Sequence, residues 1–451
     1  MRRRMLKYFA YSLISVMLIF VACQNFPDYI PEYNPGNGNC NVTKFCVMSD
    51  LHYFSPQLLL NDGTAFQTYL SQDRKLLIES GAILTSAINM IKAEKPKFVL
   101  ISGDLTKDGE KVGHLEVVNY LKLLKQANIK VFVCPGNHDI NNPDAKSFDG
   151  DIATPVTTIT PEEFKQMYAE FGYNDALYID PNSLSYVAEP VKGTWILSMD
   201  ACLYKNNTTT PIISGKFSDA TLTWIKDRLL EAKKKNIRVL GMMHHGIAEH
   251  FIGEKALFGE YVIDDWNMVS AQLANLGLNF VFTGHFHAQD IVKAIGGKNY
   301  MFDIETGSLS SYPCPVRVVQ MLPNQSMAIY TKKVQSIDFN IGEAANFQEY
   351  AYDFLSDGMD VAIPYLLMST PYSLSEIQAR ALTPAVKEAM MAHYAGDEKP
   401  PSPQTQATID MLLQGDEASQ MLGGALISIY TDPAPTDNGL IVNMKNGVGV
   451  Q

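Results

Sequence analysis

The chain has 451 residues, of which 46% are hydrophobic and 19% are charged, and its formal net charge at pH 7 is −12. Such a chain is long and apolar enough to bury large cores in about two domains, which excludes a mainly disordered protein. Its acidic balance, and the lack of a long Lys/Arg cluster beyond the N-terminal segment, argue against general nucleic-acid binding and against long polyanions as substrates.

The N-terminal segment has the composition of an export signal. Three arginines at positions 2–4 and Lys7 precede an apolar run over residues 8–22, which ends at Cys23. This order resembles a bacterial lipoprotein signal, cleaved behind Ala22 and lipidated at Cys23. The alternative is an uncleaved transmembrane anchor, for which the run is short against a hydrocarbon core of roughly 30 Å. We therefore expect a signal peptide at 1–22, a Pro-rich tether at 23–42, and a lipid-anchored protein of the bacterial cell envelope, periplasmic or surface-exposed.

Five apolar runs rich in β-branched or aromatic residues predict buried strands, and polar residues closely follow each of them. The runs cover residues 45–48, 98–101, 131–133, 239–243 and 280–282. The polar groups that follow are Ser49-Asp50-Leu51-His52, Gly103-Asp104, Gly136-Asn137-His138-Asp139, His244-His245 and Gly284-His285-Phe286-His287. Because open α/β sheets bind their ligands at the C-terminal ends of strands, we expect these side chains to meet at one sheet edge.

Helices are predicted between these strands, at about residues 73–94, 112–127, 161–171 and 218–236. Antiparallel strands are predicted at 290–295, 298–304, 316–321 and 327–333, with turns at 296–297 and 323–324. The alternation of strands and helices is typical of a layered α/β sandwich. We assign residues 43–335 to this domain.

The character of the chain changes from about residue 338. Aromatic and aliphatic residues then recur at helical spacing, and residues 373–394 predict a long helix that is interrupted or restarted at Pro384. Further helices are predicted at 404–414 and 417–430. We interpret residues 338–451 as a small α-helical accessory domain packed on the first domain.

The motifs together offer two Asp, one Asn and four His as metal ligands. This mixed O/N set suits borderline first-row ions such as Mn, Fe or Zn better than Ca or Mg. Asp50 and His52 are two apart on an extended segment, as are His285 and His287, so both side chains of a pair can point the same way. One motif alone is weak evidence, but five in order after five strands indicate a metal site.

The pattern resembles the signature of the calcineurin-like metallophosphoesterases, which is D-x-H, G-D, G-N-H-[DE], H and G-H-x-H in this order. The resemblance covers roughly residues 43–334 and implies a four-layer α/β/β/α sandwich holding two divalent or trivalent ions. It makes Asp104 the ligand that bridges both ions. It assigns Asp50, His52 and His287 to the first metal, and Asn137, His244 and His285 to the second. It also implies that His138 is not a ligand and faces the substrate.

Several neighbouring residues have alternative interpretations. Asp139 either orients the His138 ring or caps a helix N-terminus. His244 is taken as the ligand, which leaves His245 to support the ligands or to bind substrate. His250 lies six positions past His244 on a predicted active-site loop, so a role in the pocket stays open. The remaining histidines, His114 and His393, are interpreted as solvated or packed.

The metal pair predicts hydrolysis of a small phosphate ester. Two cations would lower the pKa of a bridging water to give hydroxide and would neutralise phosphoryl charge, with His138 as the general acid for the leaving oxygen. Residues 103–109 resemble the phosphodiesterase branch, which includes cyclic-nucleotide and glycerophosphodiester hydrolases, and lack the arginine of the protein-phosphatase motif.

Two alternatives remain open beside the phosphodiesterase. The first is an enzyme of the same fold that acts on phosphomonoesters or, like sphingomyelinase-type proteins, on phospholipid head groups. The second is a non-catalytic surface lipoprotein that binds a partner and holds its metal for structure. A structural site needs no proton donor, and His138 therefore argues against it.

Overall fold

The computed structural model describes residues 42–449 except 297–298, 371, 397 and 432–433. The predicted signal peptide, Cys23 and the tether up to residue 41 lie outside the described residues. Within the described ranges, no helix combines the length and the apolar character that crossing a membrane requires.

The described strands, in chain order, are β1 Thr43–Met48, β2 Leu59–Asn61, β3 Phe98–Ile101, β4 Lys130–Val133, β5 Lys146–Asp149, β6 Ile152–Pro155, β7 Ala176–Ile179, β8 Tyr186–Val191, β9 Thr194–Ser198, β10 Arg238–Met242, β11 Phe280–Thr283, β12 Asp290–Gly296, β13 Asn299–Glu305, β14 Pro315–Met321, β15 Ser326–Lys333, β16 Gly439–Asn443 and β17 Val448–Gly449. The described α-helices are α1 Thr64–Gln72, α2 Ser80–Glu94, α3 Lys111–Gln126, α4 Pro161–Met167, α5 Asp219–Lys234, α6 Glu254–Leu257, α7 Trp266–Asn275, α8 Phe347–Met368, α9 Glu376–Ala395, α10 Pro403–Leu413 and α11 Glu417–Tyr430.

Two large sheets form the centre of the fold. The strand order is β17-β16-β15-β14-β1-β3-β4 in the first sheet and β12-β13-β11-β10-β9-β8-β7 in the second. Strands β1, β3 and β4 run parallel, as do β9, β10, β11 and β13. The C-terminal ends of the parallel strands therefore come to one side of each sheet, where the motif loops begin.

The sheets pack face to face through apolar side chains. The Phe45 ring stacks on Phe98 of the neighbouring strand at 4.7 Å and meets the edge of Phe282, from the second sheet, at 5.3 Å. Outside the second sheet, α5 buries Ile225 and Leu229 in a separate apolar cluster. Helices α2 and α3 contribute buried residues on the first-sheet side. This arrangement is the predicted α/β/β/α sandwich, followed by a C-terminal helical region.

The helix predicted over residues 73–94 is wrong in its first part. Helix α1 ends at Gln72, and the Asp73 carboxylate then accepts a hydrogen bond from the backbone N–H of Lys75 at 2.9 Å. The chain stays non-helical until α2 begins at Ser80. This break matters because the irregular segment lies close to the metal-ligand candidates.

The C-terminal region departs from its prediction in two ways. Helix α9 continues through Pro384 instead of restarting there. After α11 the chain returns to the first sheet, where β16 pairs antiparallel with β15 and places Leu440 opposite Ile329. Residues 338–451 are therefore not purely helical. The boundary between the two predicted domains stays a prediction.

Candidate metal centre

The motif loops meet because neighbouring strand ends hold them in register. After β1, the backbone N–H of Asp50 donates to the carbonyl of Gly103 at 3.1 Å, and the N–H of His52 donates to the carbonyl of Asp104 at 2.9 Å. The loop that follows β11 joins them, since the His285 N–H donates to Asp50 Oδ2 at 3.0 Å. Hydrogen bonds donated by backbone N–H groups thus bring three of the five motifs together.

Several candidate ligands have left-handed backbone geometry, which is uncommon for residues other than glycine. The φ angles are 52° for Asp50, 39° for His52, 49° for Asp104, 85° for His285 and 70° for His287. Such conformations cost on the order of 1 kcal/mol each and cluster at functional sites. These backbone conformations lower the stability of the fold and direct the five side chains toward common points.

Glycine is required at two motif positions because neighbouring atoms leave no room for a Cβ. A Cβ at Gly136 would lie 2.1 Å from Asp104 Oδ1, and a Cβ at Gly284 would lie 1.8 Å from Ser49 Oγ. Ser49 Oγ itself donates to Asp50 Oδ2 at 2.5 Å. Any side chain at these two positions would displace a candidate ligand.

The first group of donors contains Asp50, His52 and His287. The Nε2 atoms of the two histidines are 3.1 Å apart, and Asp50 Oδ1 lies 3.7 Å from His52 Nε2 and 3.4 Å from His287 Nε2. Asp50 Oδ1 is buried and has no hydrogen-bond partner in the part of the chain that the structure describes. Three donor atoms thus surround one point, a geometry that suits a cation.

The second group contains Asp104, His244, His285 and Asn137. His244 Nε2 lies 3.3 Å from Asp104 Oδ2 and 2.9 Å from Asn137 Oδ1, while its Nδ1 bonds the Ser102 carbonyl at 2.8 Å. Asp104, His244 and His285 each offer a ligand atom within 4.8 Å of the others. Asp104 Oδ2 is also 3.6 Å from His52 Nε2, so this carboxylate lies between the two groups.

The protonation states of His52 and His285 also suit metal binding. Burial, together with the positive charge of Lys75, lowers the pKa of His52 well below its usual value. Burial and the neighbouring His245 and His244 do the same for His285. Both rings are therefore neutral and keep a lone pair for an ion. His244 differs: although burial lowers its pKa, the Asp104 carboxylate raises it to about 10, so this ring must lose a proton to bind an ion. The donor set fits two transition-metal ions, and the assignment of individual ligands stays a prediction.

The His138 side chain is partly exposed to solvent, unlike most of the candidate ligands. Its side chain is 22% exposed, and its Nε2 lies 3.9 Å from Asp104 Oδ2. Its Nδ1 bonds Asp108 Oδ1 at 2.8 Å. Although burial would raise the pKa of Asp108, the charges of Lys107 and His138 hold it below its usual value. An ionised Asp108 therefore fixes the ring and leaves Nε2 directed toward the metal groups.

The predicted role of Asp139 is wrong in both of its versions. Its carboxylate accepts hydrogen bonds from the backbone N–H groups of Leu105, Thr106 and Gly136, at 2.8, 3.1 and 2.8 Å. It caps no helix and does not contact the His138 ring. The side chain points into the protein and joins the loops after β3 and β4, so Asp139 supports the site from behind.

The surroundings of His245 favour support of the ligands, one of its two predicted roles, over substrate binding. The ring is fully buried, and its Nε2 bonds the carbonyl of Ile213 at 2.9 Å. Burial and the charge of His244 lower its pKa to about 3, which keeps the imidazole neutral. The ring packs 4.4 Å from His285 and holds it in place.

Sequence reasoning missed three contributions to the site. Asp108 lies four residues past Asp104 in the same loop, a signal that could have identified it. Lys75 lies in the irregular segment before α2, and its positive charge acts to lower the pKa of both His52 and His138. Tyr394 of α9 lies 6.4 Å from the His287 ring and hydrogen-bonds the Arg74 side chain. The C-terminal region therefore reaches the first group of donors.

The sequence profile of the calcineurin-like phosphoesterases matches residues 43–289, more than half of the chain. The chain belongs to this family. Among curated proteins, none matches it significantly.

Several solved structures are similar to the chain. A dimetal phosphatase from Danio rerio is 12% identical, with 65% of this chain and 96% of that chain covered and a TM-score of 0.46. A putative 5′-nucleotidase from Staphylococcus aureus is 15% identical, with 71% and 59% covered and a TM-score of 0.38. Purple acid phosphatase from yellow lupin is 10% identical, with 65% and 52% covered and a TM-score of 0.38. At these values the similarities assign neither a substrate nor a residue role.

Proposed function

We propose that the chain is a metal-dependent phosphoric ester hydrolase with a preference for phosphodiesters. The observation that carries the proposal is the pair of donor groups with the Asp104 carboxylate between them and the partly exposed His138 beside them. Asp50, His52 and His287 would hold one ion, and Asn137, His244 and His285 the other. When bound, a pair of Mn, Fe or Zn ions supplies charge neutralisation for the phosphoryl group and activation of the attacking water.

Residues of the chain itself supply the proton for the leaving group and orient the ring that donates it. His138 would carry a proton on Nε2 and donate it to the oxygen that leaves phosphorus. Asp108 accepts from Nδ1 and stabilises the protonated ring, since its ionised carboxylate is 2.8 Å away. Asp139 keeps the loops after β3 and β4 at a fixed separation, and so holds Asp104 and His138 in one arrangement.

The preference for diesters follows from the charges beside the site. A phosphodiester brings one negative charge and a monoester up to two, so a monoester gains more from additional cationic donors. Lys107, the nearest basic residue in the motifs, is fully buried, bonds the Asp108 carboxylate and lies 3.1 Å from Glu110. Its charge is already neutralised, and it does not face solvent.

We expect kcat/KM to be higher for bis-p-nitrophenyl phosphate than for p-nitrophenyl phosphate with Mn-loaded protein. The two substrates share a leaving group, so the comparison isolates the charge on phosphorus. A reversed order would contradict the diester preference and leave the hydrolase intact. If fully metal-loaded protein hydrolyses neither ester, nor any in a wider panel, the non-catalytic binding lipoprotein becomes the better account.

Lys75 favours a second candidate, an enzyme for phosphomonoesters or phospholipid head groups. Its positive charge helps to lower the pKa of His52, although its Nζ is also 3.4 Å from the Asp73 carboxylate. If monoesters are substrates, Lys75→Met will lower monoester turnover more than diester turnover. Lys111→Met serves as the control, because Lys111 pairs with Glu163 at 2.8 Å on an exposed surface. Equal losses on both esters would exclude Lys75 as a monoester determinant.

We also propose that the protein is anchored to a bacterial membrane through a lipid on Cys23. The support is the basic and apolar N-terminal sequence that ends at this cysteine. Full-length protein is expected to fractionate with membranes, and Cys23→Ser is expected to release it or leave an uncleaved precursor. Cys202→Ser, a control within the folded region, should stay with the membranes. Soluble mature wild-type protein would contradict the anchor.

A further inference from the structure

A second cluster of possible ligands lies where the C-terminal region packs on the phosphoesterase core. His250 is in the loop after β10, Asp290 begins β12, and His393 is in the last turn of α9. All three residues are about 1% exposed. Each offers one ligand atom, and these atoms lie within 4.8 Å of one another. None of the three belongs to the proposed dinuclear centre.

The carboxylates around this cluster are arranged for a cation. Asp290 and Glu305 are direct cross-strand partners on β12 and β13, so their buried side chains are neighbours. Glu305 Oε2 lies 2.9 Å from His250 Nε2, and Glu398 Oε1 lies 3.0 Å from His393 Nδ1. Buried like charges on opposed strands repel one another unless positive charge lies between them.

A buried arginine and Glu254 lie beside the cluster. Arg317 is fully buried and donates to the backbone carbonyls of Glu305 and Asp290. Glu254 adds a further buried carboxylate, which accepts the His250 backbone N–H at 2.6 Å. The cluster therefore lies among several buried ionisable groups.

The two imidazoles point to the same conclusion. His393 Nε2 and His250 Nδ1 are buried, and neither has a hydrogen-bond partner among the residues that the structure describes. Buried ring nitrogens are normally paired, because leaving one unpaired is costly. A metal ion is a partner that accepts such a lone pair.

We propose that His250, Asp290 and His393 bind a third metal ion, a divalent transition metal of the Zn²⁺ class. Two imidazoles and one carboxylate form an N/O donor set that suits an ion of this class. The ion fastens α9 to the core. The Phe286 ring, which lies between His285 and His287 in sequence, packs 4.9 Å from His393.

The test uses a full-length variant in which the dinuclear centre is removed, Asp50→Asn combined with Asp104→Asn. After metal stripping and reloading with Zn²⁺, this variant is expected to retain one equivalent by elemental analysis and to gain thermal stability. Adding His393→Asn should remove both the equivalent and the Zn²⁺-dependent shift in Tm, with circular dichroism as the check on folding. With Co²⁺, the first variant should show visible absorption that the second lacks.

The outcomes separate this site from the proposed hydrolase. If the Asp50→Asn/Asp104→Asn variant binds no Zn²⁺ and its Tm does not respond, the third site is disproved and the cluster is a proton-sharing ion-pair network. That result needs no mutation inside the cluster, so misfolding of the His393 variant cannot obscure it. In otherwise wild-type protein, His393→Asn should lower the Zn²⁺ content by one equivalent while phosphoesterase activity remains.

Discussion

Asp104→Asn is expected to abolish phosphoester hydrolysis and to remove at least one metal equivalent relative to the wild type. The Asp104 carboxylate lies between both donor groups, 3.6 Å from His52 Nε2 and 3.3 Å from His244 Nε2. An amide keeps the shape of the side chain but loses the charge and one acceptor oxygen, so it cannot bridge two cations. Elemental analysis and turnover of bis-p-nitrophenyl phosphate measure the two effects, and His244→Ala should behave similarly.

The matched control for this prediction is Asp180→Asn. Asp180 is also buried, and its carboxylate holds Asn182 and Ser183 in a loop outside the motifs. This variant should keep its metal and its activity. Full metal content and unchanged turnover in the Asp104 variant would remove the basis for a bridging ligand.

His138→Ala is expected to keep its metal and to lose about 10²–10⁴-fold in rate, the usual range for a missing general acid. The loss should shrink as the leaving group becomes more acidic, because a stable leaving oxygen needs little protonation. Rates on diesters with a graded series of phenols measure this dependence. An equal loss on every leaving group would show that His138 only positions the substrate.

Asp108→Asn tests whether Asp108 acts through the His138 ring. Because an amide can still hydrogen-bond Nδ1 but cannot stabilise the protonated ring, we expect a smaller loss with the same dependence on leaving group. A loss in the Asp108 variant that ignores the leaving group would assign Asp108 a purely structural role in its loop.

The strands that carry the site could be predicted because they are determined locally. Buried parallel strands are continuous apolar runs, and the five predicted runs agree within two residues with β1, β3, β4, β10 and β11. The helices at α3 and α5 likewise agree within two residues at each end. The meeting of the motifs follows from the direction of the strands, and the sequence pattern implies it.

Other elements depend on contacts between distant residues. Pro384 predicts a break, but α9 buries Leu382 and Val386 on either side of it, and packing against α8 keeps the helix continuous. Strand β16 is short and forms against β15, which lies more than a hundred residues earlier. Local sequence does not identify that partner.

Residues that support the site also depend on contacts between distant parts of the chain. Asp139 adjoins His138 in sequence, yet neighbouring side chains on a loop diverge, and the ring is bonded by Asp108 from another loop. The proximity of His393 to His250 arises only when α9 docks on the core. Sequence order identifies the metal-ligand candidates, whereas supporting partners are selected by the packing of loops.

The most direct test of the dinuclear centre is an anomalous difference map from a crystal of Mn-loaded protein, measured at the manganese absorption edge. We predict two peaks about 3.5–4 Å apart, one beside Asp50, His52 and His287 and the other beside Asn137, His244 and His285, with Asp104 between them. A map with no peak at these residues, or with one ion that Asp104 does not contact, would contradict the proposed centre.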